Sequence, residues 1–198
     1  MPAAVATLNG GTPQFTGFTG NVTVDGGILT VGHSEALGGR QGQVVTLKPG
    51  SAIINNTGFG LGLNGLPNNI AFGSGPIYLN GGTLLFNIAN ATTGIALGGL
   101  GNNIEVNANS QITLDNGALA GTDNDLAFGS LKINGPYTLR LFSFDSMDAS
   151  FTGTHVFTGV PTIDMTQATS GGNGTGFFTL NVAITGSWLF HWRIQCGE

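Results

Sequence analysis

The chain has 198 residues; 8% are charged, 40% are apolar, 35 are glycine, and the net charge is −5. That length holds one domain with a real core, and the apolar content, which includes 13 phenylalanines, argues against disorder. Five basic residues (Arg40, Lys48, Lys132, Arg140, Arg193) against ten acids form no stripe for a phosphate backbone, which argues against nucleic-acid binding. No apolar run approaches the about 20 residues of a membrane helix.

The opening residues MPAAVATLNG lack the basic and long apolar regions of a signal peptide, so export is expected by another route or from a longer parent. Cys196 is the single cysteine. An intrachain disulfide and a paired-thiolate metal site are therefore both excluded.

No window sustains a helical period. What recurs is short alternation of apolar and polar residues bounded by Gly, Asn or Pro, the signal of short strands and turns. Residues 1–20 hold a weak strand at Ala4–Leu8 and read as an N-terminal lead-in or cap. Then Val22-Thr-Val24 passes through Gly26–Gly27 to Leu29-Thr-Val31. Val45-Thr-Leu47 passes through Pro49-Gly50 to Ala52 and Ile54, and Ile77-Tyr-Leu79 through Gly81–Gly82 to Leu84 and Phe86. Ile104-Glu-Val106 passes through Ala108-Asn109 to Ile112 and Leu114, and Leu131-Lys-Ile133 through Gly135-Pro136 to Leu139 and Leu141. Val156 leads through Gly159 to Ile163 and Met165, and Phe178 to Ile184 reads as a last unit.

The starts recur every 22 to 32 residues. A repeating strand–corner–strand with loops of varying length suits a solenoid, whereas a β-sandwich would repeat a hairpin. The expected fold is all-β: a right-handed parallel β-helix (β-solenoid) of about seven coils, a single domain over 1–198. At about 4.8 Å per coil the rod is roughly 34 Å long. Val24, Leu29, Leu47, Ile54, Leu79, Leu84, Val106, Ile112, Ile133 and Leu139 are expected inward. Asparagines at the corners (Asn21, Asn55–Asn56, Asn68–Asn69, Asn80, Asn102–Asn103, Asn107, Asn109, Asn134) tolerate tight turns and can bond the coil above, which predicts asparagine ladders.

The stretch GGILTVGHSEALGG at 26–39 resembles the autotransporter-associated β-strand repeat: a Gly-Gly corner, Leu-x-Val, then a small polar step into Ala-Leu-Gly. VVTLKPGSAI after it, FTGFTGNVTV at 15–24 before it, and Gly129-Ser-Leu131-Lys132 through Gly135 to Leu139-Arg-Leu141 are similar to neighbouring parts of that family's pattern, with the lysine displaced by one. The sharp match covers about 30 residues and the looser repeat most of the chain. The resemblance implies a right-handed parallel β-helix in an exported bacterial surface protein, extracellular and fibrous or adhesive, without catalysis by the repeats. Self-association or neighbouring β-helix segments are the expected partners, because an exposed coil end is an unpaired strand edge and few charges oppose contact; surface glycans or a host surface are the further partners expected of an adhesive role.

Parallel β-helices also carry carbohydrate-binding or carbohydrate-cleaving sites, and glycoside hydrolysis needs two carboxylates about 5–9.5 Å apart. Asp115 with Asp123-Asn-Asp125 is the main acidic group, with Asp145 and Asp148 second. Asp115, Asp123 and Asp125 supply the oxygen ligands that calcium favours but lack an EF-hand spacing, so a solvated loop is the preferred reading and no cofactor is expected. His33, His155 and His191 share no metal-ligand spacing. An ice-binding face would need regular threonines, of which the strands give fragments. The end of the chain, 186–198, differs in character: Trp188, Phe190, Trp192 and Ile194 alternate on one face. They read as a strand capping the open end of the coil or as an interface to another subunit.

Overall fold

The computed structural model describes residues 5–8, 20–32, 37, 42–55, 72–87, 96–99, 101–115, 124–144, 147–167, 178–181, 184–185 and 191–196. In chain order the strands are β1 (Val5–Leu8), β2 (Val22–Val24), β3 (Gly27–Val31), β4 (Val45–Leu47), β5 (Ser51–Asn55), β6 (Ile77–Asn80) and β7 (Thr83–Asn87). There follow β8 (Ala96–Gly99), β9 (Ile104–Ala108), β10 (Ser110–Asp115), β11 (Asn124–Phe128), β12 (Leu131–Asn134), β13 (Thr138–Ser143) and β14 (Met147–Phe151). The last are β15 (His155–Thr158), β16 (Thr162–Gln167), β17 (Phe178–Leu180), β18 (Ile184–Thr185) and β19 (His191–Cys196). No helix occurs among the described residues.

Among the described residues the strands form three parallel sheets. Seven strands stack in the order β18-β15-β12-β9-β6-β4-β2, eight in the order β1-β3-β5-β7-β10-β13-β16-β19, and four in the order β17-β14-β11-β8. The chain visits the seven-strand sheet, then the eight-strand sheet, then the four-strand sheet, and returns one level up: a β-solenoid. Among the described residues four turns, beginning at β6, β9, β12 and β15, carry strands on all three sides; β2–β3 and β4–β5 below them and β18–β19 above carry two, and β1 adds one more strand below. The expected last unit divides accordingly. Phe178–Leu180 belongs to the four-strand sheet, and the seven-strand sheet ends instead at Ile184–Thr185.

Corners between the seven- and eight-strand sheets need backbone that bends left. Gly26 (φ 83°), Gly27 (φ 83°) and Gly50 (φ 73°) supply it in the first two turns, a region closed to most L-residues. On the approach to β6, coils lie so close that a Cβ at Gly75 would overlap the Gln43 carbonyl oxygen.

Strand alternation then fills the interior in columns. Val24, Leu47, Leu79, Val106, Ile133 and Phe157 follow one another in register and are all buried. Leu29, Ile53, Leu84, Ile112, Leu141 and Met165 form a second column. One expected inward position and one expected unit start shift. Ile53 is buried and Ile54 faces outward, because the Pro49–Gly50 corner delivers Ser51 rather than Ala52 to the inner face. In the next-to-last turn His155 and Phe157 point inward, and Val156, expected to start that unit, points out. Along the axis a file of buried rings, Phe72, Phe86, Phe128 and Phe151, continues to the half-buried Phe178. Successive centroids lie 5.7, 5.6, 5.0 and 5.4 Å apart.

Candidate functional site

The polar side chains of the corners mostly join one turn to the next. Asn21 Oδ1 accepts from Val44 N–H (3.0 Å), Asn103 Oδ1 from Ser130 N–H (2.8 Å) and Asn109 Oδ1 from Thr138 N–H (2.9 Å). On the outer face of the seven-strand sheet Asn107 Nδ2 donates to Asn80 Oδ1 (2.9 Å), and Asn134 Nδ2 to Asn107 Oδ1 (2.7 Å). This is the predicted asparagine ladder. Asn134 Nδ2 also reaches Glu105 Oε1 (2.7 Å), which lies 3.5 Å from Lys132 Nζ. Asn102, fully buried, donates to the carbonyls of Gly73 (3.1 Å) and Gly75 (2.6 Å). Such bonds at 23- to 29-residue separation are what a stacked coil requires.

Among the described residues one ionisable side chain sits in the core. His155 occupies an inward column between Leu131 and Ile184, is fully buried, and its ring meets that of Phe151 edge-on at 6.4 Å. Leu131 N–H donates to its Nδ1 (3.4 Å), which leaves the proton on Nε2, buried without a hydrogen-bond partner. Desolvation holds its pKa below the ordinary 6.5, so the neutral imidazole is the folded form.

The acidic candidates separate. Asp115 ends β10 in the eight-strand sheet beside Asn87, whereas Asp125 lies on β11 in the four-strand sheet. Asp123 and Asp145 lie outside the described residues. The partner the fold gives Asp125 is Asp148, its register neighbour one rung up, and Ser150 Oγ donates to Asp125 Oδ2 (3.0 Å). Among the described residues no group of three or more His, Cys, Asp or Glu gathers as metal ligands. Trp192 and Ile194 lie on β19, in register with Ile163 and Met165 at the end of the eight-strand sheet. Trp188, Phe190, His33, Asn56, Asn68 and Asn69 lie outside the described residues.

A different group of residues is brought together by the coil itself. Over three consecutive turns, at the corner between the seven- and eight-strand sheets, Gly81, Gly82 and Thr83, then Asn109, Ser110 and Gln111, then Thr138 and Arg140 line an open cleft of about 420 Å3. Gly82 is held tightly: a Cβ there would come 2.8 Å from Leu47 Cβ and Ser51 Oγ. Ser110 Oγ accepts from Gly81 N–H (3.0 Å) and donates to the Ala108 carbonyl (2.9 Å). The Arg140 guanidinium lies 5.4 Å from the Phe142 ring centroid. Alternation turns Thr83, Gln111, Thr138 and Arg140 outward; the convergence of the whole lining depends on register across residues up to 59 positions apart.

No family model matches the chain, and neither a curated protein nor a solved structure does.

Proposed function

We propose that this chain is a structural and adhesive β-solenoid module of an exported bacterial surface protein, akin to the autotransporter-associated β-strand repeats, working outside the cell as a stiff rod that stacks end to end. The observation that carries the reading is the use of its corner asparagines, which hold one turn to the next through Asn21, Asn103, Asn109 and the Asn80–Asn107–Asn134 ladder. The Gly26–Gly27 corner and the buried Val31 and Leu37 give the repeat-like stretch a structural use of the same kind. Strands at sheet ends offer backbone groups to another chain, and a surface with few charges opposes such contact little. Electron microscopy across a concentration series tests this: filaments one rod wide should lengthen with concentration. Only isolated particles at the highest concentration contradict it.

A second reading, a carbohydrate-cleaving β-helix, is favoured by Asp125 and Asp148 standing in register on adjacent rungs. Rungs lie about 4.8 Å apart, near the carboxylate separation of retaining glycosidases, about 5–5.5 Å. Release of reducing ends from a polysaccharide panel, lost in Asp125→Asn, would establish it.

A further inference from the structure

We propose that His155 is an acid-operated latch: a proton taken up by its ring frees β15 from β12 and lifts β18, while the turns below stay stacked. The observation that carries this is a substitution in the backbone ladder. At four successive levels the first N–H of a strand in the seven-strand sheet donates to the carbonyl just before the strand above. These bonds run from Val22 to Val44 (2.9 Å), Val45 to Pro76 (3.1 Å), Ile77 to Asn103 (2.8 Å) and Ile104 to Ser130 (2.8 Å). At the next level Leu131 N–H goes instead to Nδ1 of His155, at 3.4 Å. One rung of the rod is closed by a group that titrates.

Protonation turns that acceptor into a donor, because an imidazolium carries N–H at both ring nitrogens. Leu131 N–H and the new Nδ1–H then face each other, and Nε2 is already buried without a partner. A charge and unpaired donors in an apolar site are each costly, so the charged ring is driven toward water. No counter-ion awaits it among the described residues. Lys132 on β12 and Asp148 on β14 occupy outward positions between buried neighbours, and β15, β17 and β18 carry no other titratable group. The way out is upward. The register partner above the ring is Ile184, half-buried on the two-residue β18, where the seven-strand sheet ends among the described residues. Thr185 Oγ1 donates to the His155 carbonyl (3.0 Å), so a shift of His155 is passed directly to β18. The latch goes beyond the adhesive reading and needs no second chain.

The test is hydrogen exchange of the whole chain, resolved by strand, at about pH 7.5 and about pH 5.5, with each rate divided by its intrinsic rate at that pH. Protection of β12, β15 and β18 should fall severalfold at the lower pH. The limit is about tenfold, for one linked proton one unit below the ordinary 6.5. Protection of β4 and β6 should stay unchanged. Neither His155→Leu nor His155→Asn titrates, so both should abolish the fall. His155→Asn also keeps an amide oxygen for Leu131 N–H, and it serves if His155→Leu fails to fold. A double variant, His33→Gln with His191→Gln, should retain the fall. No fall, an equal fall in every turn, a fall that survives in the His155 variants, or one lost in the double variant overturns the proposal.

Discussion

The seven-strand sheet and the four-strand sheet fill the same interior by different rules. On the seven-strand side one column repeats nearly the same side chain at each level: Val24, Leu47, Leu79, Val106, Ile133 and then Phe157. On the four-strand side Leu126, Ala149 and Phe178 share a column, and Phe128 stacks on Phe151 at 5.0 Å. A small alanine between a leucine and a phenylalanine works only if neighbouring levels fill the space, since interiors are packed to a common density. One wall is built by repetition and the other by compensation.

Breaking the compensated wall should have the largest effect. Phe151 touches Phe128, Phe178 and His155, and Phe151→Ala should cost about 3–5 kcal/mol in chemical denaturation. Leu79→Ala, in the repeated column, should cost about 2–5 kcal/mol but with its damage confined to adjacent turns, as in other stacked repeats. Hydrogen exchange resolved by strand distinguishes the two patterns.

His155 places a pH-sensitive group at the junction of the two walls. Its folded pKa is lowered, so below the ordinary 6.5 the unfolded chain binds a proton that the folded chain resists. Its contribution to stability is present above that value and is lost as pH falls through it toward the folded pKa. His155→Leu should flatten the dependence in that window and raise stability at its acid end; an unchanged slope in urea titrations across pH contradicts the assignment. Smaller still, Asn107→Ala removes both ladder bonds and should cost about 1–2 kcal/mol at roughly 1 kcal/mol per bond. The Lys48–Asp25 pair, 2.6 Å apart but 44% and 68% exposed, should contribute under about 1 kcal/mol and fade with salt.

This contrast also explains what was legible in the sequence. Wherever a column repeats, as at Leu47, Leu79, Val106 and Ile133, alternation between glycine corners located the strand, its face and its neighbour. The third side escaped notice because Ala96–Gly99 and Asn124–Phe128 are short, glycine-rich or polar, with no shared apolar pattern. Ile54 was misplaced because Ile53 and Ile54 are both apolar, and only the length of the corner decides between them. His155 was hidden because a histidine counts as polar in an alternation pattern while the fold buries it. The cleft could not be read at all, since its members come from three turns and meet through strand register. Asp115 and Asp125, near in sequence, were carried to different sheets for the same reason.

Parallel stacking makes a geometric demand that no sandwich of hairpins shares: distance along the rod must grow with rung number and not with sequence separation. Thr46, Tyr78, Glu105, Lys132, Val156 and Thr185 follow one another in register on the outer face of the seven-strand sheet. In a Cys196→Ser background, spin labels paired from position 46 to 132, 156 and 185 span three, four and five rungs, separations of about 14, 19 and 24 Å at about 4.8 Å per rung. An increment near that rung spacing at each step is the predicted result. Distances that fail to increase from one rung to the next contradict the solenoid.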